Sequence, residues 1–129
     1  MKRILVGVDG SSESQTAAAL AADLAVTMDA QLLLACATHD GSLQDRETAW
    51  SVLRQISAAV GRPGLEVVNA TPAGPAAEAL AKMAEAPEVI FAVVGHRGRN
   101  AAARVLLGSV ADRLVQICGK PVLVSRSAT

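Results

Sequence analysis

Aromatic residues are almost absent from this chain: Trp50 and Phe91 are the only two, and there is no tyrosine. Proteins that bind single-stranded nucleic acid stack bases on aromatic platforms, so that class of partner is disfavoured. Net charge is absent too, with 12 basic residues against 12 acidic ones. No global field therefore draws the chain toward nucleic acid or an anionic membrane. Long hydrophobic runs are missing as well. The run after Lys2 and Arg3 extends only from Ile4 to Val8 before Asp9 interrupts it, too short for a secretory signal. No uncharged apolar stretch approaches the roughly 18 residues that a membrane helix needs. Cysteine is scarce: Cys36 and Cys118 make neither a disulfide framework nor a metal motif. A reducing, cytoplasmic setting fits these absences.

What the chain does have is aliphatic and alanine-rich material. It has 129 residues, 51% of them hydrophobic, and a mean hydropathy of +0.35. That suits one domain, residues 1–129, around one well-filled core. Five short apolar runs read as strands buried on both faces: Ile4 to Val8, Leu32 to Ala37, Leu65 to Asn69, Val89 to Val94, and Val122 to Val124.

Helical segments separate the runs. Ser12-Glu13-Ser14-Gln15 has the form of a capping box and opens an alanine-rich helix to about Met28. Ser42 can cap a second helix to about Val60, whose apolar residues Ala49, Trp50, Leu53, Ile56 and Val60 recur at helical steps. Gly61 stops it. A third helix runs from about Pro75 to Glu85, and a fourth from Ser109 to Cys118. Strands alternating with helices predict an α/β fold: a parallel sheet with helices on both faces. Right-handed crossovers carry the first three strands one way, and the chain then returns to the other side of strand one. The resulting order, 3-2-1-4-5, leaves a crevice between strands one and four where a ligand is expected.

One interval is unusually long. Between the fourth strand and the last helix the chain reads Gly95-His96-Arg97-Gly98-Arg99-Asn100-Ala101-Ala102-Ala103-Arg104-Val105-Leu106-Leu107-Gly108-Ser109. Glycines directly after a buried strand let a ligand's phosphates approach the backbone. Gly108-Ser109 opens a helix whose free N–H groups and dipole favour an anion. Arg97, Arg99 and Arg104 add positive charge. Taken singly, the glycines could simply turn, Ser109 simply cap, and the arginines simply be solvated. Their order in one strand–loop–helix unit points to a phosphate cradle. The spacing matches neither a P-loop nor a dinucleotide-binding Gly-x-Gly-x-x-Gly.

Glycine, two residues, glycine, nine residues, then glycine-serine resembles the ATP-binding signature of universal stress proteins. Gly95, Gly98, Gly108 and Ser109 match it without insertion. The resemblance extends over nearly the whole chain, through Ile4 to Ser11, Gly74 to Leu80, Gly108 to Ala111 and Lys120 to Val124. It implies the same 3-2-1-4-5 sheet, with adenine nucleotide over the ends of strands one and four. By resemblance Gly7, Val8 and Asp9 line the nucleotide, Ala37 meets the adenine edge, and Gly95, Gly98, Gly108 and Ser109 surround the phosphates; Arg97, Arg99 and Val110 stand beside them in the same loop and helix start. Asp9 could accept ribose hydroxyls or stand near a phosphate-bound Mg²⁺; equally, it could make an Asp-Gly turn that caps the next helix. The chain departs from the family pattern in its short connection at residues 38–44, in Arg97 where histidine is common, and in Glu88 near a common aspartate. Some family members lack the glycine signature and do not bind ATP; this chain retains it.

The expected function is thus an ATP- or AMP/ADP-binding regulatory protein of the stress response. A slow ATPase is the enzymatic alternative, with His96 or His39 orienting water and Arg97 or Arg99 stabilising charge. A hydrolase built from Ser109, His96 and Asp9 lacks a Gly-x-Ser-x-Gly elbow; both histidines read as solvent-facing loop residues. A dimeric scaffold with little nucleotide binding is the third alternative. The last strand, Pro121-Val122-Leu123-Val124, would form an apolar sheet edge, and an unprotected edge invites pairing. The family often pairs two such strands across a two-fold axis, so a homodimer is expected there.

Overall fold

The computed structural model describes residues 1–97 and 107–126. Its elements are β1 (Arg3–Gly7), α1 (Ser12–Met28), β2 (Gln31–Ala35), α2 (Leu43–Val60), β3 (Val67–Ala70), α3 (Ala76–Ala84), β4 (Val89–Gly95), α4 (Ser109–Ile117) and β5 (Val122–Ser125). The five strands form one sheet in the order β3-β2-β1-β4-β5, every pair parallel. The α/β alternation and the strand order are as the sequence predicts. No helix among the described residues is long and apolar enough to cross a membrane.

Strand side chains alternate between two cores. Ile4, Val6, Leu32, Leu34 and Val93 face α1 and α2. Leu5, Leu33, Ala35, Ala92 and Val94 face α3 and α4. Burial on both faces explains why these strands read as continuous apolar runs. Helix α1 lays Ala17, Ala18, Ala21, Ala22 and Ala25 on the first face, all fully buried. With only methyl groups between them, its backbone comes close to the sheet.

Several local readings change. The N-cap of α1 is Ser11, whose hydroxyl accepts the Ser14 N–H at 3.2 Å, so Ser12 is already the first helical residue. The capping box is displaced because Asp9 turns the chain one residue earlier, accepting the Ser11 N–H at 2.9 Å. Ser42 caps α2 as expected, bonded from the Asp45 N–H at 3.2 Å. Gly61 ends α2 in an extended conformation, φ −59° and ψ 136°, rather than a left-handed one. Ala49, Leu53, Ile56 and Val60 are buried, but Trp50 lies beside that stripe and is 38% exposed. β3 starts two residues later than expected, at Val67, because Arg62 to Leu65 forms a turn closed by the Leu65 N–H on the Arg62 carbonyl. Both cysteines are free thiols, Cys36 buried and Cys118 partly so.

A single lysine ties the far end of the sheet together. Lys120, just before β5, donates from Nζ to the carbonyls of Ala84 (2.9 Å), Ala86 (3.0 Å) and Val89 (2.6 Å). Those carbonyls span the end of α3 and the start of β4, where the helix leaves acceptors unsatisfied. Lys120→Met keeps the stem and removes all three bonds. It should lower unfolding free energy by about 2 kcal/mol, the scale of charged hydrogen bonds. Urea denaturation of both proteins measures this, and an unchanged midpoint would show that the tie contributes nothing.

Candidate functional site

The strand order reverses between β1 and β4, and the site lies at their carboxyl ends. There Gly7, Val8 and Asp9 end and follow β1; Gly95, His96 and Arg97 end and follow β4; and Gly108, Ser109 and Val110 open α4. The Gly108 N–H donates to the His96 carbonyl at 2.8 Å, bringing the start of α4 back onto the end of β4. The structure therefore joins the two described ends of the glycine-rich segment. Gly98, Arg99 and Arg104 lie outside the described residues.

Close approach accounts for two of the glycines. A Cβ on Gly95 would stand 3.0 Å from the carbonyl carbon and oxygen of Glu13, in the first turn of α1. One on Gly7 would meet Leu80 Cδ1 at 2.5 Å, under α3. Gly108 differs: its φ of −66° and ψ of 159° are open to any residue. It is buried, and it, rather than Ser109, is the N-cap of α4. Ser109 is the first helical residue and exposed, and α4 has no side-chain cap. The simple capping role for Ser109 is thus excluded by its position.

The two helix N-termini at this edge are dressed differently. Helix α1 carries the Ser11 cap and Glu13 in its first turn, so its positive end already holds an anion in cis. Helix α4 begins Gly108-Ser109-Val110-Ala111, without charge before Asp112. With the Gly108 N–H taken by the His96 carbonyl, the amides of Ser109 and Val110 are the ones left for an external anion.

Asp9 makes the turn that sequence reasoning offered as one of its two roles. Its Oδ1 accepts the Ser11 N–H, and its own N–H donates to Ser14 Oγ at 3.3 Å. The side chain is partly buried, next to the crevice. Arg97 is 34% exposed, and its guanidinium stands 3.8 Å from Glu13 Oε1. His96, expected to face solvent, is 7% exposed instead. Its backbone N–H is bonded to the Ser125 carbonyl at 2.7 Å, which continues β4 by one residue and draws the ring inward. His39 is exposed as expected.

Glu13 is the residue that sequence reasoning missed. It appeared only as part of a cap, whereas its side chain is 12% exposed and its Oε2 is buried without a hydrogen-bond partner among the described residues. Only knowing that α1 lies across Gly95 reveals it.

Ala37 follows β2, beyond β1 on the other side of the crevice. The next residue, Thr38, is buried and donates its N–H to the Pro72 carbonyl at 2.9 Å. The short 38–44 connection borders a cleft of about 320 Å³ lined by His39, Asp40, Ser42, Gln44, Asp45 and Thr48. The Ser42 backbone N–H on Asp40 Oδ1, at 2.9 Å, holds the Asp40 carboxyl below the usual aspartate range.

A family model for the universal stress protein family matches residues 1–126. The chain belongs to the universal stress protein family. A universal stress protein of Mycolicibacterium smegmatis is 32% identical over 93% of this chain and 94% of its own length. One from Mycobacterium tuberculosis is 34% identical over 98% of this chain. The chain spans about half the length, 45% to 49%, of the M. tuberculosis relatives it matches. Among solved structures, a universal stress protein in complex with cAMP superposes with a TM-score of 0.74 at 25% identity, covering 96% of each chain. The Archaeoglobus fulgidus universal stress protein in complex with dAMP gives a TM-score of 0.79 at 19% identity, covering 96% of this chain and 97% of its own.

The close contact at the first glycine of this universal stress protein yields a direct test. Gly95→Ala pushes a methyl group against the backbone of Glu13, which cannot rotate away. It should destabilise the fold by about 1–3 kcal/mol, the cost of overpacking. Thermal unfolding of Gly95→Ala beside the unmodified protein measures the loss, and equal midpoints would mean that α1 does not press on Gly95.

Proposed function

We propose that this chain is an adenine-nucleotide-binding regulatory domain of the stress response, holding ligand phosphates at the start of α4. The observation that carries this reading is the uncapped N-terminus of α4, bonded back onto the end of β4 through Gly108 and His96. The relative of similar fold that holds cAMP supports an adenine nucleotide as the ligand class. In this reading the phosphates meet the amides of Ser109 and Val110 beside Gly108, whose own N–H is taken by the His96 carbonyl, with Gly95, Arg97, Gly98 and Arg99 completing the cradle. Gly7, Val8 and Asp9 take the ribose side, and the backbone at Ala37 meets the adenine edge. ATP is the ligand that the resemblance of the glycine spacing to the family's signature implies, with AMP and ADP sharing its adenosine contacts.

No group of three or more metal-ligating side chains occurs among the described residues. A Mg²⁺ would therefore arrive on the nucleotide's phosphates, keeping most of its water, with Asp9 as one nearby carboxylate. No dedicated catalytic group is assigned. The burial of His96 removes it from solvent and from the simple role of orienting water; any ATP hydrolysis would be slow.

Gly108 provides the test. Valine fits the backbone conformation and the N–H that binds His96 is retained in Gly108→Val, and thermal unfolding checks that the buried position accepts the side chain. The branched side chain would stand where phosphates approach. Calorimetric titration should show ATP and cAMP affinity falling by about tenfold or more, equivalent to about 1.4 kcal/mol. Unchanged affinity in a folded variant would refute the phosphate site.

We also read β5 as a dimerisation edge. Among the described residues it pairs only with β4, and its Leu123 is 38% exposed; Val110 (38%) and Val115 (52%) of the neighbouring α4 are exposed as well. An edge strand of this kind is closed by pairing with a second copy across a two-fold axis. Light scattering at micromolar concentration should give twice the chain mass; a monomer would remove the dimer from the proposal.

A further inference from the structure

The sheet has a second edge, β3, which among the described residues pairs only with β2. The Glu66 and Ala70 carbonyls are taken by the N–H groups of Leu32 and Cys36 on the β2 side. By strand alternation, Val67 and Asn69 therefore point their own N–H and C=O groups outward, along an open ladder. Natural edges are blunted by charge, proline or a bulge, and Val67-Val68-Asn69-Ala70 has none of these. All of its residues are half-buried.

Helix α2 runs beside this edge. The Ser57 hydroxyl donates to Asn69 Oδ1 at 3.0 Å, fixing one flank of the helix against β3 and leaving the Asn69 amide N–H groups as donors. Trp50 lies two helical turns before Ser57 on that flank and is 38% exposed. Arg46 and Arg54 stand one turn to either side of Trp50, both exposed and neither in an ion pair among the described residues. Of the α2 carboxylates, Glu47 shares the flank, whereas Asp45 accepts the Asp40 N–H at 3.1 Å. The side chains offered here are mainly donors around one aromatic anchor. We infer that the β3 edge, with the Trp50 flank of α2 beside it, docks an extended acidic segment of a partner protein by strand addition. The segment's backbone meets Val67 and Asn69, its carboxylates meet Arg46 and Arg54, and an apolar residue covers Trp50, the residue type that most often anchors an interface. Nucleic acid fits less well, since a lone ring and two guanidiniums make neither a stacking platform nor a basic groove. A second copy fits less well too, because this chain has no acidic run to offer. The surface lies beyond β2 and requires no nucleotide.

Trp50 is the only tryptophan and the chain has no tyrosine, so its emission reports on this flank alone. The probes are peptides of about ten residues, the length of a long strand, alternating Glu with Val, Leu or Thr. A matching set carries Lys in place of each Glu. Titration with the acidic set should shift Trp50 emission to the blue and saturate, while the lysine set leaves it unchanged. Arg46→Gln and Arg54→Gln should each weaken binding by about two- to fivefold, the scale of exposed ion pairs. Raising the salt to physiological strength should weaken it further by screening. Amide exchange of the bound protein should show new protection at Val67 and Asn69, with His96 unchanged.

No saturable change of Trp50 emission with any acidic peptide would overturn the docking edge. Equal binding of the lysine set, or unchanged affinity in both arginine variants, would overturn it as well. Protection at β5 in place of β3 would put the docking strand on the other edge and refute this one. An oligothymidine strand that binds more tightly than every acidic peptide would make the surface one for nucleic acid. Light scattering that shows self-association abolished by Trp50→Ala would make a second copy the occupant, against the proposal. Thermal unfolding confirms that the variants compared are folded. None of these outcomes bears on nucleotide binding, which is titrated separately.

Discussion

The alanine stripe of α1 is the contact on which the rest of this molecule depends. Five fully buried alanines let the helix approach the sheet until its first turn touches the end of β4. Larger residues would lift it, and the crevice between β1 and β4 would lose one wall. Methyl groups bury little area each, so the stabilisation comes from dispersion across a closely packed face. The approach also dictates a glycine at position 95 and places Glu13 among the residues that follow β4. Architecture and chemistry at this edge thus share one cause.

Charge at the crevice follows from how the two helices are dressed. Both helices carry a carboxylate in the first turn, Glu13 in α1 and Asp112 in α4, but only α1 has a hydroxyl cap. Two similar dipoles therefore face the same edge, one with a hydroxyl cap and one without. On the opposite edge of the sheet Lys120 does for carbonyls what Ser11 does for amides. It collects acceptors from the end of α3 and the start of β4 in one cluster. Both ends of the sheet are thus closed by polar groups that the apolar pattern alone would not reveal.

Much of the fold was legible in the sequence. Five apolar runs alternating with helical segments were enough for the parallel sheet, and crossover handedness was enough for its order. The faces of β1, β2 and β4 sort into separate cores because those strands are covered on both sides, whereas the edge strands β3 and β5, which also read as fully buried runs, are only partly buried. The residues misread were those whose environment depends on distant chain. Trp50 fits the helical spacing of α2, yet it sits at the margin of the stripe and is partly exposed. His96 looks like a loop residue until the Ser125 carbonyl extends β4 through it. The cap of α1 moved by one residue because Asp9 competes for the local amides. For the candidate site, the positions of Gly7 to Asp9, Gly95 and Gly108 could be inferred, since strand ends and helix starts carry them. Glu13 could not, because its importance comes from a tertiary contact.

The backbone of His96 has a consequence for how the molecule opens. Its N–H is held by Ser125 at the end of β5, and its carbonyl holds Gly108 at the start of α4. Ala92, lower on the same strand, donates to Pro121 at the other end of β5. Amide exchange with solvent would therefore read two different separations a few ångströms apart. Release of β5 unprotects the amides of Ala92 and His96 together, whereas release of α4 unprotects Gly108 alone. One residue thereby serves as the hinge pin between the edge strand and the helix that begins the cradle, and local opening on either side leaves its own exchange signature.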